Sequence, residues 1–431
     1  MANPSIVTTF KPEGKPQPAF ADGSWKNPGT SGLISRANLG GVKTETIAAH
    51  AGVSRDGKNH AVMPTYTGTT VSTATCEELA DNFSNAVVAG RKGQIYSRLG
   101  TPNTFALECT LADMHPGCAD AMVFASGMAA ISHTLLSLVA PGDNVVVHRG
   151  VYGCTDNLLS MKFPSWGFEA RFVDMRESGA IEAAVDNRTR AVFFETPSNP
   201  VLDIINIANA ARDVKGRCPV IVDNTFASPV GQNPFENGAN IVIYSMTKSI
   251  GGNSNATGGA VLGSGAFLEH LFYTRKDLGG MLAAKEAAAF LDGLKTLPLR
   301  YPRMAENATE VAHMLMRNPN VEKVHYPGMG MGYPYGQMKS PGHMVAFELK
   351  KGLEGGKALI NNLNMIVNAV SLGSVESLIS HPASTTHACV PKEQREAKGI
   401  TDGLVRLSVG IENIGDIMGD LEQAFRKVAS L

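Results

Sequence analysis

Between about residue 101 and residue 298, short apolar runs alternate with helical patterns, and the runs end in residues able to do chemistry. Ala121-Met-Val-Phe-Ala-Ser-Gly-Met128 reads as a strand that turns through Ser126-Gly127 into the helical run Ala129 to Val139. The strand Asn144 to His148 is followed by Val151-Tyr-Gly-Cys-Thr155, which carries Tyr152. Cys218-Pro-Val-Ile-Val-Asp-Asn-Thr225 closes on the carboxylate of Asp223. The run Ala239 to Tyr244 closes on Ser245, Thr247 and Lys248, with glycines after it. Such alternation predicts an α/β sheet covered by helices on both faces. Open α/β sheets bind ligands at their strand ends. A phosphate cradle, an aromatic ring, a carboxylate and a lysine therefore converge on one place.

Each residue type has a physical reason to be there. A strand, a Gly turn and a helix start leave backbone N–H groups and the helix dipole facing an anion. Ser245 and Thr247 alternate along the chain, so both hydroxyls can face one phosphate. A lysine held beside them can lose its proton and attack a carbonyl, which a solvated lysine rarely does. Taken alone, Ser-x-Thr-Lys is short and common, and a strand-end lysine in water is the plainer reading. Asp223 alone could be a helix N-cap, and Tyr152 a core tyrosine. Pyridoxal phosphate requires the whole set: a lysine for its aldehyde, an anion for its ring nitrogen, donors for its phosphate and a ring to stack on. Arg406 falls in the strand-like run Leu404 to Val409, where an unpaired buried cation is costly. Bidentate capture of a substrate carboxylate accounts for it.

From about His50 to the C-terminus the chain resembles the cysteine/methionine-metabolism (trans-sulfuration) family of pyridoxal-phosphate enzymes. The motifs, in family order, are Tyr96-Ser-Arg98, Ala125-Ser-Gly-Met128, Val151-Tyr-Gly153, Glu195-Thr-Pro-Ser-Asn-Pro200, Val222-Asp-Asn-Thr225, Ser245-Met-Thr-Lys248, Ser371-Leu-Gly373, His381-Pro-Ala-Ser384 and Leu404-Val-Arg-Leu-Ser-Val-Gly410. The resemblance implies an α/β protein of fold type I, with a large, mostly parallel seven-stranded sheet domain and a smaller C-terminal α/β domain. It implies a division into an N-terminal arm and subunit-wrapping segment (1–100), a cofactor-binding large domain (101–298) and a small domain (299–431). Lys248 is then the lysine condensed with the cofactor and the carrier of the Cα proton. Asp223 pairs with the ring nitrogen, which favours its charged form. Tyr152 lies on the ring and protonates the leaving group. Gly127, Met128, Ser245 and Thr247 hold the phosphate from one chain, with Tyr96 and Arg98 reaching it from a partner. Asn199 contacts the cofactor's 3′-oxygen, and Ser371 helps Arg406 with the substrate carboxylate. A shared site implies at least a dimer, and the family commonly forms homotetramers.

The implied chemistry is α,γ-elimination from methionine or another γ-substituted amino acid, giving a 2-oxo acid, ammonia and the leaving group. The alternative is γ-replacement, by an O-acylhomoserine sulfhydrylase or a cystathionine γ-synthase/lyase-type enzyme. A cofactor-binding protein without turnover is the third reading, and intact Lys248, Asp223 and Arg406 oppose it. Cys154 after Tyr-Gly and the pair Lys276-Asp277 match the methionine γ-lyase branch, where they lie near the substrate. The plainer reading of Cys154 is a small buried apolar residue, and the match to that branch is preferred over it. The family's Gly-His-Gly-Asp segment is replaced by Gly252-Asn-Ser-Asn-Ala256, which removes a carboxylate and an imidazole near the cofactor and bears on substrate choice.

Composition narrows the partners. The 431 residues are 43% hydrophobic and 18% charged with a formal net charge of -1, so nothing favours nucleic acid or an anionic membrane. Six cysteines without a CxxC pair point to neither a disulfide framework nor zinc, and to reduced thiols in the cytoplasm. None of the eleven histidines has metal-ligand spacing, so no metal is expected; His381 and His387 read as structural. No secretory signal is visible, and the apolar window around 121–141 is too interrupted to span a membrane. Residues 1 to about 42 read as an irregular arm. The stretch 43–100 shows little periodicity, and in the family it wraps onto a neighbouring subunit. An amphipathic helix at 305–317, a strand at 344–349 and a terminal helix at 414–429 are expected beyond the large sheet.

Overall fold

A computed structural model describes residues 41–53, 61–83, 94–329, 336–388 and 390–431. The arm expected at 1 to about 42 therefore lies almost wholly outside the described residues, as does Cys389. Seven strands form the main sheet: β1 (Asp120–Phe124), β2 (Asn144–His148), β3 (Glu169–Val173), β4 (Thr189–Glu195), β5 (Val220–Asp223), β6 (Ile241–Ser245) and β7 (Gly259–Gly263). Their spatial order is β1-β7-β6-β5-β4-β2-β3. The run β6-β5-β4-β2-β3 is parallel, and β7 is antiparallel to both neighbours. The mostly parallel seven-stranded sheet that the resemblance implies is the one observed.

Parallel strands buried on both faces need apolar side chains at successive positions, and β2, β4, β5 and β6 supply them. Their period of two sorts them into two cores. Val146, Val192, Phe194, Val220, Val222, Val242 and Tyr244 face one core. Val145, Val147, Phe193, Ile221, Ile241 and Ile243 face the other. Strand ends are where this apolar run stops, so the polar residues that follow sit at the sheet's C-terminal edge.

The second sheet has β8 (Val321–His325), β9 (Met344–Leu349), β10 (Val367–Asn368), β11 (Leu378–Ser380) and β12 (Leu404–Ser408), in the order β10-β11-β12-β9-β8. The expected strand at 344–349 and terminal helix at 414–429 are present with those bounds. The helix expected at 305–317 is instead the last part of one 34-residue helix, Ala284–Arg317, with Pro298 and Pro302 inside it. Proline removes a helical N–H and normally breaks a helix. Here burial against both sheets outweighs that cost: Phe290, Leu294 and Leu297 join the large-sheet core, while Ala308, Val311 and Leu315 join the small-sheet core. A smaller cluster that includes Val201, Phe226, Met344, Leu372 and Leu404 clamps the small sheet onto the strand-end loops of the large one. That clamp brings Arg406 and Lys248 to one shared residue, Ser371.

Candidate active site

β4 and β5 are in register at their ends, with Glu195 opposite Asp223. Both carboxyls are buried. Burial, with the charge of Asp223 added, lifts Glu195 well above the ordinary carboxylate range. Burial also pushes Asp223 up to about 6, although the hydroxyl and N–H of Thr225 donate to it at 2.5 and 3.0 Å and favour the anion. Two neighbouring buried carboxyls resist ionising together. A cation placed against Asp223 restores its charge, and a protonated pyridine nitrogen is such a cation.

Lys248 lies just past β6. Its Nζ donates to Ser371 Oγ at 2.8 Å. Burial, then the nearby Arg406 cation, pulls the amine down to about 8. Arg406, in β12, donates from Nη1 to Asn199 Oδ1 at 2.8 Å and from Nη2 to the Ser371 carbonyl at 2.9 Å. Burial pulls this guanidinium down to about 10. These partners are neutral, and among the described residues no carboxylate forms an ion pair with Lys248 or Arg406. Two adjacent cations without an anion make a place for a ligand that carries carboxylate or phosphate and a reactive carbonyl. Ser371 itself has φ +89, a strained conformation for a residue with a side chain.

The helix Gly127–Leu138 begins beside Ser245. Ser126 caps it by accepting the Ala129 N–H at 3.0 Å, so the N–H groups of Gly127 and Met128 have no intrahelical acceptor. A Cβ on Gly127 would come within 2.8 Å of the Ser245 Cβ; glycine alone permits this approach. The Ser245 N–H donates to Thr225 Oγ1 at 2.9 Å, which links the cradle to Asp223. The Thr247 hydroxyl accepts the Gly258 N–H at 3.0 Å.

Tyr152 is half-exposed, and its N–H donates to Glu195 Oε1 at 2.6 Å. Cys154 Sγ donates to Tyr152 Oη at 3.4 Å. That thiol, then burial, pushes the phenol up to about 12. Thus Lys248, Ser371, Arg406 and Asn199 are brought together, and Asn199 is bonded to Arg406. Tyr96, Arg98, Lys276 and Asp277 form a second, separate group. Arg98 lies over the Tyr96 ring and donates to the Lys276 carbonyl at 2.7 Å, while Lys276 pairs with Asp277. Among the described residues no hydrogen bond or ion pair joins this group to Lys248, Asp223 or Arg406.

A cavity of about 540 Å³ opens beside Thr247 and Ser371, with Ser254, Asn255, Glu286 and Glu376 on its walls. Ser254, Asn255 and Ala256 thus shape space beside Thr247 and Ser371. Sequence reasoning gave no role to Glu195 or Thr225. Both lie within motifs; Glu195 reaches Asp223 only through the β4–β5 pairing, which no local pattern encodes, whereas Thr225 bonds Asp223 two residues before it and Ser245 at the end of β6.

The set fits pyridoxal phosphate on this chain's own features: an uncompensated buried amine, a glycine-only cradle and a carboxyl awaiting a cation. Residues 45–426 match the family described as Cys/Met metabolism PLP-dependent enzyme. The L-methionine gamma-lyase of Fusobacterium nucleatum subsp. polymorphum is 41% identical over 391 residues, covering 89% of this chain and 98% of that protein. The cystathionine gamma-synthase of Mycobacterium bovis is 39% identical over 387 residues, covering 88% and 96%. A Campylobacter jejuni structure, provisionally named O-acetylhomoserine (thiol)-lyase, contains N'-pyridoxyl-lysine-5'-monophosphate. It superposes with a TM-score of 0.83 at 30% identity, covering 89% of this chain and all 100% of that one. Geometry and likeness agree, and the chain belongs to the Cys/Met metabolism family of PLP-dependent enzymes.

Proposed function

We propose that the protein carries out α,γ-elimination on methionine or another γ-substituted amino acid, consuming one water and releasing a 2-oxo acid, ammonia and the leaving group. The observation that carries this is the Lys248–Arg406 pair of cations, 2.8 and 2.9 Å from opposite ends of Ser371. Arg406 and the loop around Ser371 hold the α-carboxylate, which leaves Cα and Cβ within reach of one amine. Pyridoxal phosphate supplies a sink for the electrons released at Cα. Lys248, already depressed to about 8, takes the Cα proton and returns it elsewhere; this proximity supplies much of the rate. Tyr152, with its phenol proton held firmly by the pull toward 12, is the acid beside the departing γ-substituent. Asp223 would hold the ring nitrogen protonated, Ser245, Thr247, Gly127 and Met128 would hold the phosphate, and Cys154 orients Tyr152.

The separate group of Tyr96, Arg98, Lys276 and Asp277 completes the site of a second copy, so the active form is at least a dimer with shared sites, and the family's common homotetramer, a dimer of such dimers, is the assembly proposed. Its support is exposure: the helix Cys76–Phe83, which precedes this group, buries none of its residues within the chain. Five described cysteines are free thiols, which supports a reducing cytoplasmic location. Among the described residues no helix is long and apolar enough to cross a membrane.

Replacement is the second reading, favoured by near-equal identity to a synthase and by the cavity beside Ser254 and Asn255. Purified protein with methionine, with and without an added thiol, separates the two. Oxoacid from methionine alone is expected. Consumption of an acylhomoserine only when sulfide is present, with no oxoacid from methionine, defeats elimination.

A further inference from the structure

The ring of His343 is fully buried just ahead of β9. Its Nε2 lies 3.1 Å from Ser249 Oγ and its Nδ1 3.4 Å from Ser408 Oγ. Ser408 Oγ in turn accepts the Gly373 N–H at 2.8 Å. These three partners are the near neighbours of the site: Ser249 follows Lys248, Gly373 lies two residues past Ser371, and Ser408 lies two past Arg406 on the same face of β12. We infer that His343 is a positioning residue that ties the lysine-bearing turn of the large sheet to the carboxylate-binding loop and strand of the small one. The inference rests on the roles proposed above for Lys248, Ser371 and Arg406.

The directions of the bonds are consistent. Ser408 Oγ is occupied as an acceptor by Gly373, so its proton is free to donate to Nδ1. Nε2 then carries the ring proton and donates to Ser249 Oγ. This needs a neutral imidazole, one nitrogen accepting and the other donating. Burial, followed by the cations of Arg300 and Arg406, pulls His343 down to about 3. A charged ring would add a third cation beside Lys248 and Arg406. Tyr301 stands perpendicular against it at 5.7 Å, and Arg300 Nη1 holds the Ser249 carbonyl at 3.0 Å.

The junction has no slack. A Cβ on Gly373 would lie 2.6 Å from the Ser249 nitrogen, so the loop rests directly on the lysine turn. Ser371, strained at φ +89, keeps that conformation only if its surroundings over-determine it. The ring of His343 touches both sides, alongside the Lys248–Ser371 bond and the bonds of Ser374 and Val375 to the Gly252 carbonyl. It helps set the distance between an amine on one sheet and a guanidinium on the other.

His343→Phe keeps a ring and removes both bonds. In the holoenzyme, binding of glycine, read from the cofactor absorption band, is expected to weaken on the order of tenfold. Amide exchange over residues 371–375, measured with and without cofactor, is expected to speed up by a similar factor. His343→Gln, which keeps a donor and an acceptor, restores part of both. A purely structural loss lowers the melting temperature and leaves glycine affinity alone. Ser249→Ala and Ser408→Ala break the tie one bond at a time should the phenylalanine variant fail to fold. Exchange and glycine affinity within twofold of the parent in all soluble variants overturns the inference. A parent that binds glycine but makes no oxoacid overturns the elimination reading instead, and leaves the exchange result to decide on His343.

Discussion

Lys248 is unusual because two physical terms push it the same way. Burial and the Arg406 cation both favour the neutral amine, at about 8 against the ordinary 10.5. In cofactor-free protein, trapping of Lys248 by an aldehyde and borohydride should therefore rise with pH through about 8 and then level off. A rise centred near 10.5 contradicts this. Arg406→Gln removes one of the two terms, so the midpoint should move upward while staying below 10.5. Between these values the unfolded chain holds a proton that the folded chain has lost, so this group makes the cofactor-free protein more stable as pH rises from 8 to 10.5. Asp223 runs opposite to an ordinary aspartate, protonated below about 6. Cofactor affinity, measured by equilibrium dialysis, should weaken as pH falls through that value. Tyr152→Phe should lower kcat by roughly 10²–10⁴ with the cofactor still bound, the range for a lost general acid.

At the scale of elements, two close approaches hold the site. The start of the helix Gly127–Leu138 meets β6 with no room for a methyl group, 2.8 Å from the Ser245 Cβ. Gly127→Ala should push the two apart and raise the cofactor dissociation constant on the order of tenfold or more, while the fold persists. The long helix Ala284–Arg317 meets the lysine turn through Arg300, whose guanidinium donates to the carbonyls of Ser249, Ile250 and Gly293 at 3.0, 3.4 and 2.8 Å. Arg300→Leu leaves these buried acceptors unpaired, a loss of about 3 kcal/mol. Urea denaturation should show a lower midpoint with an unchanged slope. A midpoint within error of the parent rules out this role for Arg300.

Across the whole molecule, the proposed site residues fall into two separate groups. Lys248, Ser371, Arg406 and Asn199 meet between the sheets; Tyr96, Arg98, Lys276 and Asp277 sit apart from them. If copies complete one another, Arg98→Ala and Lys248→Ala are each inactive alone. Refolded together at equal amounts, random pairing should restore roughly a quarter of the parental activity, because mixed dimers carry one intact site. No recovery, with dimers formed, means the two groups do not meet across an interface.

The sequence by itself determined the parts that are local. Apolar runs of period two, Gly turns and strand-end polar residues specify their own conformation, so the alternating architecture, the cradle at Gly127, and Asp223 and Lys248 as strand-end chemistry were legible along the chain. So was the family, because its motifs recur in order. Tertiary structure decided what depends on distant segments meeting. Only pairing of β4 with β5 puts Glu195 beside Asp223, and only packing on two cores carries the helix through Pro298 and Pro302. Only the fit of one sheet over the other turns His343, which reads in the sequence as one histidine among eleven, into the ring between the lysine and the arginine. Pattern encodes what neighbours in the chain do; register and burial between remote segments are settled by packing free energy, which no window of sequence contains.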